Sequence, residues 1–286
     1  MKKVLIISFL IVSVLGYSQT IDHAQLEVIY HFEFVNNRLD PDRRITDEVI
    51  LLIGNEYTAY FSFRNYIADS LRRTGAPEFM PELIGSDGRR TSVRLNESFE
   101  AATARAGIVG TPTVVMPRTM PASSPFNRAR YFINRKSAKA TRMEHIVDVR
   151  NLSNAHGNNL SYTEPLNSPT WTISTETQTI IGYHTQKATT RFGGRDWTVW
   201  FAPDIPISEG PWKLRGLPGL ILKAETADGE FSLTATSVNR GTRRPIVKCE
   251  RHVYRNVPKR EFFRLRTESS RIPGRSFEFN HIEILE

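Results

Sequence analysis

This sequence is short of cysteine: Cys249 is the only one in 286 residues. A lone thiol forbids any disulfide within the chain and any Cys-X-X-Cys redox or zinc motif. Long apolar runs are also missing. Past the N-terminus nothing approaches the roughly 20 apolar residues that a bilayer core demands, and mean hydropathy is −0.35. Gly-X-Ser-X-Gly, Walker-type and dinucleotide-binding glycine patterns are absent. His23, His31, His145, His156, His184, His252 and His281 never fall at His-X-His or His-Glu-X-X-His spacing, so the sequence proposes neither a metal site nor a cofactor. Carboxylates such as Asp196, Asp204, Glu209 and Glu225 are available for acid/base work, but their separation is not encoded in spacing. No catalytic residue is therefore assigned.

The N-terminus has the three parts of a secretory signal. Lys2 and Lys3 form the positive end, Val4 to Leu15 the apolar stretch, and Gly16 and Ser18 the small residues before a cut. The expectation is a signal peptide over 1–18, removed on export to the periplasm or outer envelope, with no lipid attachment and no membrane helix in the mature chain. Net charge is +8, and the positive charge is concentrated. Residues 118–150 hold eight Lys and Arg against two acids, and residues 240–275 hold twelve against three. Such segments suit an anionic lipid surface or an acidic partner. Export argues against nucleic acid.

Period-two alternation dominates the remainder of the chain. Leu26, Val28, Tyr30, Phe32 and Phe34 share one face, the mark of a half-buried strand. Val49–Ile53 and Tyr57–Phe63 flank Gly54-Asn55 as a hairpin. Further strands are expected over Trp171–Ser174, Thr179–Arg191, Trp197–Ala202, Leu220–Glu225, Phe231–Val238, Ile246–Tyr254 and Ser276–Leu285. Helical signal is confined to Arg64–Arg73 and Val257–Thr267. Residues 103–127 and 151–168 read as loop insertions. These signals predict a mainly β fold over 19–286: one domain with a single antiparallel, curved sheet or unclosed half-barrel, similar to the lipoprotein-carrier fold, and one or two short helices.

Residues 181–225 are distinctive, with three of the four tryptophans and six of the seventeen glycines. In Leu217-Pro218-Gly219-Leu220 the proline presets φ and Gly219 is expected to take the positive φ of a type II turn. Gly210-Pro211 is a second stiff turn, and Gly216 precedes the first. Trp197 and Trp200, three apart on a strand, point to opposite faces. Gly216–Ile221 reads GLPGLI, the motif that names the GLPGLI family of exported Bacteroidetes proteins, and the chain resembles that family. Gly182-Tyr183, Gln186–Thr190, Gly194-Arg195, Trp200-Phe201, Ile205-Pro206 and Gly210–Trp212 extend the resemblance, as do Tyr162–Pro165 and His281–Glu283.

The resemblance implies a protein of uncharacterised biochemistry, in some members working beside TonB-dependent outer-membrane receptors. With it comes an expectation of a non-catalytic binding or carrier module. Its groove would be lined from Leu26–Phe34, Trp197–Phe201 and Leu220–Leu222, and would take a hydrophobic small molecule, lipid, lipopeptide or peptide. The binding candidates are Arg195, Trp197, Trp200, Trp212, Leu217 and Leu220, on a framework of Gly210, Pro211, Gly216, Pro218 and Gly219. An accessory role at an outer-membrane receptor and an exported hydrolase are the alternatives.

Overall fold

In the computed structural model of the chain, residues 19–63, 82–92, 99–108, 113–115, 129–146, 158–248, 254–270 and 280–284 are described. The signal segment, the helix expected over Arg64–Arg73 and Cys249 lie outside them. Among the described residues there are seventeen strands and two helices. The strands are β1 (Gln19–His23), β2 (Leu26–Val35), β3 (Arg44–Ile53), β4 (Tyr57–Ser62), β5 (Glu82–Ile84), β6 (Arg90–Ser92), β7 (Thr113–Val115), β8 (Ala129–Asn134) and β9 (Lys139–Ile146). Then come β10 (Asn158–Pro165), β11 (Thr172–Ile180), β12 (Tyr183–Phe192), β13 (Arg195–Ala202), β14 (Leu220–Thr226), β15 (Phe231–Arg240), β16 (Pro245–Lys248) and β17 (Arg255–Asn256). The helices are α1 (Phe99–Ala106) and α2 (Lys259–Ser270). Neither is long and apolar enough to cross a membrane.

Twelve strands form one open sheet in the order β11-β12-β13-β14-β15-β2-β3-β4-β8-β9-β10-β17. Neighbours run antiparallel except β10 and β17. The fold is mainly β, as the alternation predicts, but with three sheets rather than one: β1–β16 and β6-β5-β7 stand apart. Other expectations need correction. Residues 151–168 contain β10 rather than loop throughout, and the strand expected over Thr179–Arg191 is split by a turn at Ile181-Gly182. The expected C-terminal strand is absent at 280–284, and β8 and β9 lie where no strand was expected.

The sheet buries both faces of its middle strands. Leu26, Val28, Tyr30, Phe32 and Phe34 of β2 face the main core with Val49, Leu51 and Ile53 of β3. Ile50 and Leu52, the alternate residues of β3, face a second core under the β1–β16 ribbon, with Ala24, Phe61, Phe132 and Ile246. A third cluster, Leu160, Tyr162, Val257, Phe262 and Phe263, seats α2 on β10.

The main core holds more than strand residues. The connection 203–219 folds inward and contributes Ile205, Trp212, Leu214 and Leu217, all fully or almost fully buried. It is tied down by Leu220 N donating to Ile205 O at 3.0 Å and Ile221 N to Glu209 O at 3.0 Å. The apolar groove expected of a carrier is therefore filled by the chain itself.

The expected type II turn is not what Gly219 serves. Positive φ belongs to Gly216 (99°), while a Cβ on Gly219 would stand 2.3 Å from the carbonyl oxygen of Ala202. Gly219 is needed because two backbones touch there. Gly219→Ala must push the inward connection off β13, a backbone overpacking that costs roughly 1–3 kcal/mol. Urea denaturation checks this, and an unchanged midpoint would refute the contact.

Candidate active site in a charged cleft

A cleft of about 490 Å³ opens where β10, the β12–β13 turn, the inward connection, α2 and the C-terminal segment converge. Its walls include Glu164, Arg191–Gly194, Lys213, Lys259 and Glu283. Four of these side chains form an alternating ring. Lys213 Nζ donates to Glu164 Oε1 (2.8 Å) and Glu283 Oε2 (2.7 Å), and Lys259 Nζ donates to Glu164 Oε2 (2.8 Å) and Glu283 Oε1 (2.5 Å). Each carboxylate thus bridges both ammoniums. Tyr162 Oη adds a 3.3 Å hydrogen bond to Glu283 Oε2.

Local structure explains how four distant residues meet. Glu164 sits near the end of β10, and α2 begins beside it because the Pro258 carbonyl accepts the first helical bond from Phe262 N. Trp212 adopts φ 56°, costly for a bulky side chain, and is held there by the rings of Trp197 (5.7 Å) and Phe192 (5.6 Å). That conformation precedes Lys213, whose ammonium lies 5.0 Å from the Trp212 ring centre. Glu283 is carried in by a segment pinned through Ile284 N to Gly193 O (2.9 Å) and Asn280 N to Asn36 O (3.1 Å).

Two members of the ring, Glu283 and Lys259, are held charged by their neighbours. Burial pushes Glu283 up, but Lys213 and Lys259 outweigh it and hold the carboxyl below its ordinary value. Burial pushes Lys259 down, but Glu164 and Glu283 more than compensate and it stays an ammonium. Glu164 and Glu283 differ in access: their side chains are 19% and 4% exposed, so Glu164 is the carboxylate that meets water. Two carboxylates and two ammoniums in one cleft suit a polyhydroxy ligand, with oxygen acceptors and charged donors side by side. They also suit hydrolysis, in which a carboxylate activates water and a cation stabilises developing negative charge.

Behind the cleft lies a second ionic cluster. Arg142 and Arg266 both bind Glu144, at 2.5 and 2.7 Å, all three almost fully buried. Arg142 is 5.3 Å from the Tyr131 ring centre and 5.0 and 5.5 Å from those of Phe262 and Phe263, which docks α2 through cation–π as well as apolar contact. His281 completes it. Arg266 Nη1 lies 3.4 Å from Nδ1 and can only donate, which assigns the proton to Nε2, 3.1 Å from Thr267 Oγ1. Thr267 therefore accepts from His281 and is not activated as a nucleophile.

The residues singled out from sequence are distributed as follows. Arg195 is buried and binds carboxylates: Nη1 reaches Asp228 and Glu230, each at 2.7 Å. Nη2 reaches Asn280 Oδ1 and His281 O, each at 2.7 Å, so Arg195 anchors the C-terminal segment. Trp197, Trp212, Leu217 and Leu220 are core side chains at 0–1% exposure. Trp200 is half-buried and packs against the same core that holds Trp197, with Lys187 Nζ 6.0 Å from its ring centre. Gly210 and Pro211 are buried, and a Cβ on Gly210 would meet Leu214 O at 2.7 Å. Gly216 and Pro218 complete the inward connection beside Gly219. Of the cleft residues, none of Glu164, Lys213, Lys259 and Glu283 is a sequence candidate. Among the described residues no group of three or more His, Cys, Asp or Glu is placed to hold a metal.

Comparison with known proteins supplies the family. Residues 112–257 match the family model described as N-glycanase peptide, N-terminal domain, and the chain belongs to that family. The GLPGLI assignment is thereby corrected: the matched family is the N-glycanase one, and Gly216–Ile221 here brings Leu217, Leu220 and Ile221 into the core. The reading as a non-catalytic carrier falls with it, since the match is to an N-glycanase domain. No curated protein matches significantly. Two crystal forms of PNGF-II are similar at 14% and 16% identity, each with a TM-score of 0.46, covering 86% and 85% of this chain. The chain spans about a third of the length of PNGF-II (34% and 33%). An uncharacterized conserved protein from Thermus thermophilus is similar at 8% identity and a TM-score of 0.31, over 82% of this chain and 85% of that one.

The charge geometry can be tested at two positions. Arg195→Ala strands Asp228 and Glu230 beside each other and removes one of the anchors of the C-terminal segment. The loss is roughly 2–3 kcal/mol by urea denaturation, less than for a wholly buried pair because Asp228 is half exposed. His281 is lowered from 6.5 to about 2, by burial first and then by Arg266, Arg142, Arg195 and Arg38. The unfolded chain takes up this proton below about pH 6.5 while the folded chain does not, so the contribution is intact above pH 6.5 and declines as pH falls towards 2. His281→Gln should flatten the stability profile between about pH 6.5 and 5, above the range where Glu283 begins to protonate. Identical profiles for the two proteins would show that His281 is not held neutral.

Proposed function

We propose that the protein is an exported N-glycanase-type hydrolase domain that binds an N-linked glycan at the charged cleft and cleaves it from its peptide. The observation that carries this reading is the position of the cleft in the matched family segment. Glu164, the Arg191–Gly194 turn and Lys213 all fall within residues 112–257, and Lys259 lies two residues beyond. The N-terminal signal supports export.

In this reading Glu164, the more exposed carboxylate, takes a proton from the water that attacks the carbonyl of the glycan–asparagine linkage. Lys213 and Lys259 stabilise the negative charge that develops on that carbonyl oxygen, and Glu164 returns the proton to the departing nitrogen as the C–N bond breaks. Glu283 holds both ammoniums in place and keeps Lys259 charged. Substrate hydroxyls take over part of the hydrogen bonding that the ring now satisfies internally.

The test is incubation of the purified chain with an N-glycosylated peptide, followed by mass spectrometry of the peptide. The expected result is loss of the glycan mass, slowed about a hundredfold or more in Glu164→Gln. A glycopeptide that stays intact with correctly folded protein overturns the hydrolase reading. Release at an undiminished rate by Glu164→Gln overturns the residue assignment.

A further inference from the structure

Glu209 is a buried carboxylate that lies outside the cleft lining. It opens the loop Glu209–Arg215, and Arg215 closes it: Arg215 Nη2 donates to Glu209 Oε1 at 3.1 Å, with the side chains 14% and 3% exposed. Backbone bonds reinforce the closure, from Gly216 N to Ser208 O (3.4 Å) and from Ile221 N to Glu209 O (3.0 Å). At the tip stand Trp212, strained at φ 56°, and Lys213, whose ammonium enters the cleft ring. Backbone strain of this kind persists only where its surroundings over-determine it.

The base of the loop is bolted to the sheet. Arg135, in the β8–β9 turn, brings Nη1 to 3.7 Å from Glu209 Oε1, and its Nη2 donates to the carbonyls of Gly54 and Asn55 in the β3–β4 turn. Arg135 N donates to Glu56 O at 3.0 Å. A second tie runs to the cleft wall. Trp171 Nε1 donates to Arg215 O at 2.8 Å, at the end of the segment that carries Pro165, Leu166 and Asn167 along the cleft. Arg215, Arg135, the Thr58 hydroxyl and the Tyr30 phenol surround the carboxylate. Burial pushes Glu209 up, and Arg215, Arg135 and Thr58 only partly offset it, so its charge is costly where it stands. A buried carboxylate of this kind adds little net stability; what it specifies is where its guanidinium partners sit.

We propose that Glu209 is a positioning residue: through Arg215 it locks the base of the loop whose tip presents Lys213, and it thereby fixes that ammonium between Glu164 and Glu283. Lys213 and Lys259 hold equivalent places in the ring but are carried differently. Lys259 belongs to α2, which is docked separately on β10 by Leu160, Tyr162, Phe262 and Phe263. Loss of the Glu209 charge therefore acts on one ammonium and spares the other. That the position of Lys213 matters for catalysis rests on the hydrolase reading of the cleft; that Glu209 sets it does not.

The experiment is acetylation of the full folded chain with N-hydroxysuccinimidyl acetate, the rate at each lysine being read by mass spectrometry of its peptides, in the wild type and in Glu209→Gln. Lys213 is 6% exposed and Lys259 32%, so Lys213 starts slow. The expected result is Lys213 acetylation accelerated at least about fivefold, with Lys259 and the remote Lys223 within about twofold of their wild-type rates. Arg215→Gln, which removes the other half of the pair, gives the same selective pattern and serves where Glu209→Gln fails to fold. With a glycopeptide substrate, Glu209→Gln lowers kcat by a larger factor than it raises KM, since Lys213 acts on charge that develops in the transition state. An unchanged Lys213 rate in the folded variant overturns the proposal. So does a rise shared by Lys213, Lys259 and Lys223, which marks general loosening rather than loss of one specific hold. A selective rise at Lys213 in a chain that releases no glycan upholds the positioning role and overturns the hydrolase reading alone.

Discussion

An open sheet with an apolar concave face must bury that face against something, and the rest of this structure depends on how it does so. Among the described residues no second sheet covers the main core, and no barrel closure removes its edges. The connection between β13 and β14 turns inward instead and delivers Ile205, Trp212, Leu214 and Leu217 to the core that includes the stacked rings of Phe32, Phe34 and Phe231. Close backbone contact at Gly219 makes that fit feasible, and the strained Trp212 is its local cost. Once the interior is occupied, a carrier-like groove is sterically ruled out, and the open cleft lies at the rim.

The rim is built from charge. Three ionic groups hold the C-terminal segment and α2 in place: Arg195 with Asp228 and Glu230, Glu144 between Arg142 and Arg266, and the ring of Glu164, Lys213, Glu283 and Lys259. Buried ion pairs give little net stability relative to apolar packing, but removing one member strands another. They specify position more than they add strength. That property serves a cleft whose walls come from five separate parts of the chain.

Sequence reading is reliable where one physical signal acts alone. The alternation in Leu26–Phe34 marks β2 within a residue, and the apolar triplet Leu220–Leu222 marks a strand buried on both faces. It fails where signals compete. β9 places Arg142 and Glu144 in the interior, which inverts the expected polarity of a half-buried strand. The turn between β11 and β12 uses Ile181 at φ 42°, where turn chemistry favours Asn or Gly, so the two strands read as one. The cleft is illegible for a different reason. Its four charged residues stand at 164, 213, 259 and 283, with no common spacing, and single Lys and Glu residues in a chain with an ordinary 24% of charged residues carry no individual signal. Tyr162–Pro165 and His281–Glu283 stand out as pieces of a family pattern, without any hint that they meet.

The alternating ring has one more implication. The carboxylates and ammoniums that would grip a ligand in the cleft are the same ones that clasp the C-terminal segment to the body of the fold. A ligand that recruits Glu283, Lys213 or Lys259 withdraws part of that clasp. Binding of such a ligand and docking of the C-terminal segment would then be coupled, and linkage makes the coupling reciprocal: the factor by which the ligand loosens the docked segment is the factor by which docking weakens the ligand's binding.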